Sequence, residues 1–148
     1  MLHEFIHFFA PLTANCRDFH ARWESAAALD EEGVSGRWQG EWISETSGHR
    51  GPLRCVLTVV SPALWHLAFN AGYSRIFRAC YTADFTAASD EGRWAFTGRE
   101  DLGVIAGGLY EYSGYATLAE IICRYKSPRD QGEFRLRRVN SKLLTPNS

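Results

Sequence analysis

The pattern of hydrophobic and polar positions changes character once along the chain. Over residues 15–32, Phe19, Trp23, Ala26, Ala27 and Leu29 fall near one helical stripe, with Asn15 or Asp18 as cap and Gly33 and Gly36 as stop. Ahead of it, Leu2, Phe5, Ile6, Phe8 and Phe9 read as a short helical stretch that ends at Pro11. These are too many large apolar groups for a bare tail, so the segment either packs on the rest of the protein or meets another chain as a homo-oligomer contact. From Gly36 the period becomes two. Trp38, Gly40 and Trp42 alternate with Arg37, Gln39 and Glu41, and Leu53, Cys55, Leu57 and Val59 with Arg54, Val56 and Thr58. Further strand signals are Trp65–Phe69, Phe77–Phe85, Trp94–Phe96, a glycine-containing run Leu102–Tyr112, Tyr115–Tyr125 after Ser113-Gly114, and Phe134–Leu136.

Eight strands with turn signals at steady spacing and no helical period between them predict an antiparallel meander rather than a parallel sheet. A meander of eight (eight to ten) strands removes its edges by closing, so the expected fold is mainly β: an up-and-down barrel behind an N-terminal helical segment. The expected divisions are residues 1–35 (helical segment packing on the barrel), 36–139 (barrel) and 140–148 (tail). Gly103, Gly107 and Gly108 are expected to bend one long strand.

The 148 residues suit one domain, and 45% apolar with 22% charged residues is an ordinary globular mixture. Net charge is −1 with no basic stripe, which excludes a nucleic-acid surface; Arg135, Arg137 and Arg138 alternate with Phe134 and Leu136 as one strand face. Leu2–Leu12 is too short to span a membrane and carries Glu4 and two histidines, a poor leader, so the expected compartment is the cytoplasm. Cys16, Cys55, Cys80 and Cys123 show no C-x-x-C spacing and are expected to be reduced, buried thiols.

Gly36-Arg37-Trp38 opens the first strand after a helix, and arginines sit on the last strand. This resembles the lipocalin and wider calycin pattern. The resemblance implies that Arg137 or Arg138 packs over Trp38 at the closed end, making Gly36, Trp38 and that arginine a closure seam. The lipocalin T-D-Y motif is absent. The longer pattern Gly36-x-Trp38-x-Gly40-x-Trp42, Gly48-His49-x-Gly51-x-Leu53 and Tyr125-x-Ser127-x-x-Asp130-x-Gly132-x-Phe134 looks like a bacterial family of unknown activity, which speaks to fold and leaves function open.

Candidate chemistry is sparse. Alternating hairpins put connections 44–52, 70–75, 98–102 and 126–132 at one mouth, with Ser44, Glu45, Ser47, His49, Arg50, Tyr73, Arg99, Glu100, Asp101, Lys126, Arg129 and Asp130. The entering helix is expected to plug the other end. Trp42, His49, Tyr73, Tyr81, Trp94, Asp101, Tyr110, Tyr125 and Arg129 are the candidate ligand contacts. The inward aromatics either fill the barrel or line a cavity. His49 with Glu100 or Asp101 has the types for general-base work, but no nucleophile motif accompanies it, so an exposed turn histidine is the simpler reading. His66 and Cys80 fall on the outward parity of adjacent strands and lack partners for a metal site. No metal and no cofactor is expected. The sequence therefore supports a non-enzymatic binder of a small apolar or aromatic molecule; next, a structural or interaction module with a solid core; third, an enzyme built on His49.

Overall fold

The computed structural model describes residues 16–26, 33–73, 77–102 and 108–139. The apolar segment before Pro11, Ala27, Leu29, Gly103, Gly107 and the tail lie outside them. One helix, α1 (Cys16–Ala26), precedes eight strands: β1 (Gly36–Ser44), β2 (Arg50–Ser61), β3 (Leu64–Tyr73), β4 (Phe77–Asp90), β5 (Arg93–Asp101), β6 (Leu109–Ala116), β7 (Glu120–Lys126) and β8 (Gln131–Arg138). Each strand pairs antiparallel with the next, and β1 pairs with β8, closing an up-and-down barrel.

Alternation decides what goes inside. Trp38, Leu53, Cys55, Leu57, Leu67, Phe69, Phe85, Cys123, Phe134 and Leu136 are fully buried at inward positions. The rings interlock: Phe85 stacks on Phe96 at 5.0 Å and meets Tyr112 at 5.2 Å, while Phe69 meets Phe134 edge-on at 5.5 Å. Such offset and edge-on contacts add stabilisation beyond area burial.

Closure depends on Trp38 and Arg138. The Trp38 indole N–H donates to Val34 O at 3.0 Å, and the Arg138 guanidinium lies 5.3 Å from the ring centroid. Arg138 also donates to the carbonyls of Gly33, Ser35 and Leu118, so one cation ties the entry to β1 and the β6–β7 turn to β8. Of the two arginines left open by the sequence, it is Arg138 that covers Trp38. Arg137 is exposed and pairs in register with Gln39.

Three expectations are corrected. First, α1 does not plug the barrel. Phe19, Trp23 and Ala26 pack on the outer wall against Val56, Ala68, Cys80 and Val139. The outward face of β2–β4 is apolar here, so the helix covers the wall rather than an end, and Arg37 and Arg54 lie over the Trp23 ring at 4.9 and 5.5 Å. Second, the cysteines are not four thiols: Cys16 and Cys80 form a disulfide that ties the first turn of α1 to β4, and Cys55 and Cys123 are free and buried. The cysteine argument for a reducing compartment falls with it. Third, Leu102–Tyr112 is not one strand. β5 ends at Asp101, Leu102 N donates to Gly108 O, and β6 begins at Leu109; Ser113-Gly114 is inside β6, with the turn at 117–119. A Cβ on Gly114 would sit 2.0 Å from Ile122 O, so this glycine permits close strand approach rather than a turn. Among the described residues no helix is long and apolar enough to cross a membrane.

Candidate functional site

The barrel interior has two levels. At the waist the inward side chains are sealed, whereas toward the end where β1 begins Trp94 stays partly uncovered and Val59 is exposed. Toward the end that carries the 45–49 and 127–130 connections, five inward apolar or aromatic residues pack on that core yet stay partly uncovered, or lie just within it: Trp42, Ala71, Tyr81, Tyr110 and Tyr125.

The mouth is built from strand ends. Trp42, near the end of β1, donates its indole N–H to Gly72 O at 3.0 Å and stacks on Tyr73 at 5.5 Å with planes 8° apart. Gly51 permits this: a Cβ there would stand 2.9 Å from Trp42 Nε1 and 2.2 Å from Gly72 O. The Tyr73 hydroxyl lies 2.9 Å from His49 Nδ1, and the two rings meet edge-on at 5.8 Å. His49 thus sits in the β1–β2 turn, where the Ser44 amide donates to its carbonyl.

Across the opening, Asp130 closes the β7–β8 turn. Its carboxylate accepts the buried Ser44 hydroxyl at 2.6 Å and the Tyr125 hydroxyl at 3.2 Å, while Ser127 Oγ accepts the Asp130 amide at 3.1 Å. Tyr110 lies between Tyr112 and Tyr125, at 6.3 and 6.4 Å. Arg129 is exposed in the same turn.

Below the mouth, Tyr81 stacks on Phe69 at 5.1 Å. Protein surrounds it, yet part of its surface stays uncovered, and its hydroxyl bonds to no described residue. Burial is the main cause that pushes the Tyr81 phenol far up, helped by Tyr110, Cys55 and Cys123. Burial likewise raises Tyr110, Tyr112 and Tyr125, and the nearby Asp130 charge raises Tyr125 further. Burial, with Cys123 close by, holds the Cys55 thiol well above its ordinary value. These phenols and thiols are therefore neutral hydrogen-bond donors at neutral pH, not nucleophiles.

Of the candidate contacts, the structure brings Trp42, His49 and Tyr73 together, and Tyr110 and Tyr125 together, at one end with Tyr81 beneath. Asp101 and Arg129 lie at the same end, exposed. Trp94 does not join them: it pairs with Ala116 and meets Trp65 edge-on at 6.1 Å, at the closed end. One Glu100 oxygen accepts the Asp84 amide at 3.0 Å, and the His49 ring faces Tyr73. Of the pair singled out as outward-facing, His66 bonds Asp84 at 2.6 Å on the surface, while Cys80 is covered by α1. Asp130 and Ser44 are the residues whose role sequence reasoning missed. Both are in mouth connections, but only the fold shows that they meet.

A separate hollow of 670 Å³ lies on the outer wall across β4–β7, among residues that include Asp84, Thr97, Arg99, Glu111, Arg124 and Lys126. Its lining is mostly outward and polar. The inward positions Gly98, Tyr112 and Tyr125 also border it.

No protein-family model matches the chain, and no curated protein resembles it in sequence. Two solved structures are similar in fold. A de novo designed fluorescence-activating β-barrel shares 14% identity over 71% of this chain and 93% of its own, with a TM-score of 0.49. A mutant of the fluorescent protein UnaG shares 6% identity over 72% of this chain and 96% of its own, with a TM-score of 0.41.

Proposed function

We propose that the protein binds a small apolar or aromatic molecule, non-enzymatically, in the mouth half of its barrel. The observation that carries this reading is Tyr81: an inward residue enclosed by protein that keeps uncovered surface and a hydroxyl with no partner among the described residues. That hydroxyl lies on the uncovered part of the residue, so a ligand acceptor can take its proton in a hydrogen bond without displacing a protein partner. Partly uncovered Trp42 and Tyr110 supply apolar wall above it, and Tyr125 a neutral donor. Apolar walls with a few convergent polar groups are the usual make-up of a small-molecule site.

A neutral naphthalene-type fluorophore is expected to bind the folded protein. Tyr81→Phe should weaken a ligand that carries an acceptor and leave a pure hydrocarbon unaffected. Tyr81→Trp, which adds bulk, should weaken both, and Trp42→Ala should change affinity several-fold. Absence of binding, or affinity insensitive to all three changes, overturns the reading and leaves a solid-cored interaction module.

A further inference from the structure

We infer that the mouth selects cationic ligands: an amine or quaternary ammonium whose apolar body enters the barrel while its charge rests beside Asp130 among Trp42, Tyr73, Tyr110 and Tyr125. This rests on the cup reading above and goes beyond it by assigning the ligand a charge.

The argument starts from where charges face. Asp130 is half-buried, and its two acceptor contacts come from inward or buried groups, Ser44 Oγ and Tyr125 OH, which hold the carboxylate over the opening. Glu100, at an inward register position of β5, is also half-buried. The described cations of this end are placed differently. Arg50 is paired outward to Glu41 at 2.6 Å and Arg124 to Glu45 at 2.8 Å. Arg78, Arg99 and Lys126 occupy outward register positions and are exposed. Arg129 is exposed in the β7–β8 turn beside Asp130, and His49 faces Tyr73. The inward-facing charge described here is thus carboxylate.

Two further observations agree. The phenols of Tyr73, Tyr110 and Tyr125 all feel the Asp130 charge, whereas a cation is felt only at Tyr110, and there less than Asp130. The wall of the same opening is aromatic, including the parallel Trp42–Tyr73 pair. Ring faces attract a cation through their quadrupole, and a carboxylate next to them adds the full opposite charge. A fatty-acid or other carboxylate head would meet Asp130 and Glu100 with no described inward cation to offset them.

The test is a charge series on one aromatic body: naphthylmethanol, naphthylmethylammonium and naphthoate, titrated by protein fluorescence and calorimetry against the full chain and Asp130→Asn. The ammonium is expected to bind roughly tenfold tighter than the alcohol, the size of one partly solvated charge contact with aromatic support, and naphthoate weakest. Asp130→Asn should abolish the ammonium preference while still binding the alcohol, which shows the cup intact. Equal binding of the three probes, preference for naphthoate, or an ammonium preference that survives Asp130→Asn overturns the cation assignment and leaves the cup standing. Binding of none overturns both. If Asp130→Asn does not fold, the series on the unmodified chain decides by the same ordering.

Discussion

Trp38→Ala tests the closure of the barrel. Trp38 is fully buried, donates to Val34 O and carries Arg138 on its face. Truncating a buried tryptophan costs about 3–5 kcal/mol. Within that, the abandoned Val34 carbonyl accounts for roughly 1–3 kcal/mol and the lost cation–π contact for about 0.5–2 kcal/mol; the parts overlap and do not sum. A protein of this size loses roughly 2–4 °C per kcal/mol, so the melting temperature should fall by about 6–20 °C. Arg138→Met should reproduce part of the loss, because three carbonyls lose their donor, whereas exposed Arg137→Ala should stay within about 0.5 kcal/mol. In a double-mutant cycle, Trp38→Phe with Arg138→Met should show coupling near the cation–π value. The assay is thermal and chemical unfolding with matched slopes. A Trp38→Ala melt within two or so degrees of wild type, or equal effects of Arg137 and Arg138, would refute the seam.

Alkylation under denaturing, non-reducing conditions should label two cysteines, Cys55 and Cys123; four labels would deny the Cys16–Cys80 bond. Cys16→Ser in the oxidised protein should cost about 4 kcal/mol on the chain-entropy account of a 64-residue separation, less if the unfolded chain is compact. Gly114→Ala should destabilise by about 1–3 kcal/mol, because its Cβ meets a backbone oxygen that cannot step aside, read as a lower denaturant midpoint. Burial raises the pKa values of Tyr73, Tyr81, Tyr110, Tyr112 and Tyr125 in the folded state. Their contribution is therefore fully present below the unfolded tyrosine value of about 10 and is lost as pH rises above it. Phenolate absorbance should appear cooperatively with alkaline unfolding; gradual ionisation of all tyrosines in a still-folded protein would contradict their burial.

Much of the barrel was legible because period two is a direct record of which side chains face inward. Trp38 to Trp42, Leu53 to Leu57 and Phe77 to Phe85 needed no tertiary information. The two strand boundaries that went astray share one cause. Ser113-Gly114 carries turn chemistry, but there the glycine serves strand approach. The docking of α1 was illegible because Val56, Ala68 and Cys80 each occupy an outward position that looks ordinary alone. Only strand pairing lines them up under Phe19 and Trp23, and the disulfide follows from that docking rather than from cysteine spacing. At the mouth, the aromatic residues announce themselves, but the meeting of Ser44 with Asp130 spans 86 positions and depends on closure.

The pairing of β4 with β5 begins at Phe85 opposite Gly98 and runs toward the closed end, so among the strands residues 77–84 pair with β3 alone. The ring of ladder bonds that makes the fold a barrel is complete at the waist, while on this flank the rim is held by side chains such as Glu100 on the Asp84 amide. Aperture and architecture are in this way encoded by different positions. Drift at the rim can reshape the opening without touching the bonds that keep the wall closed, which leaves the aperture free to change faster than the fold.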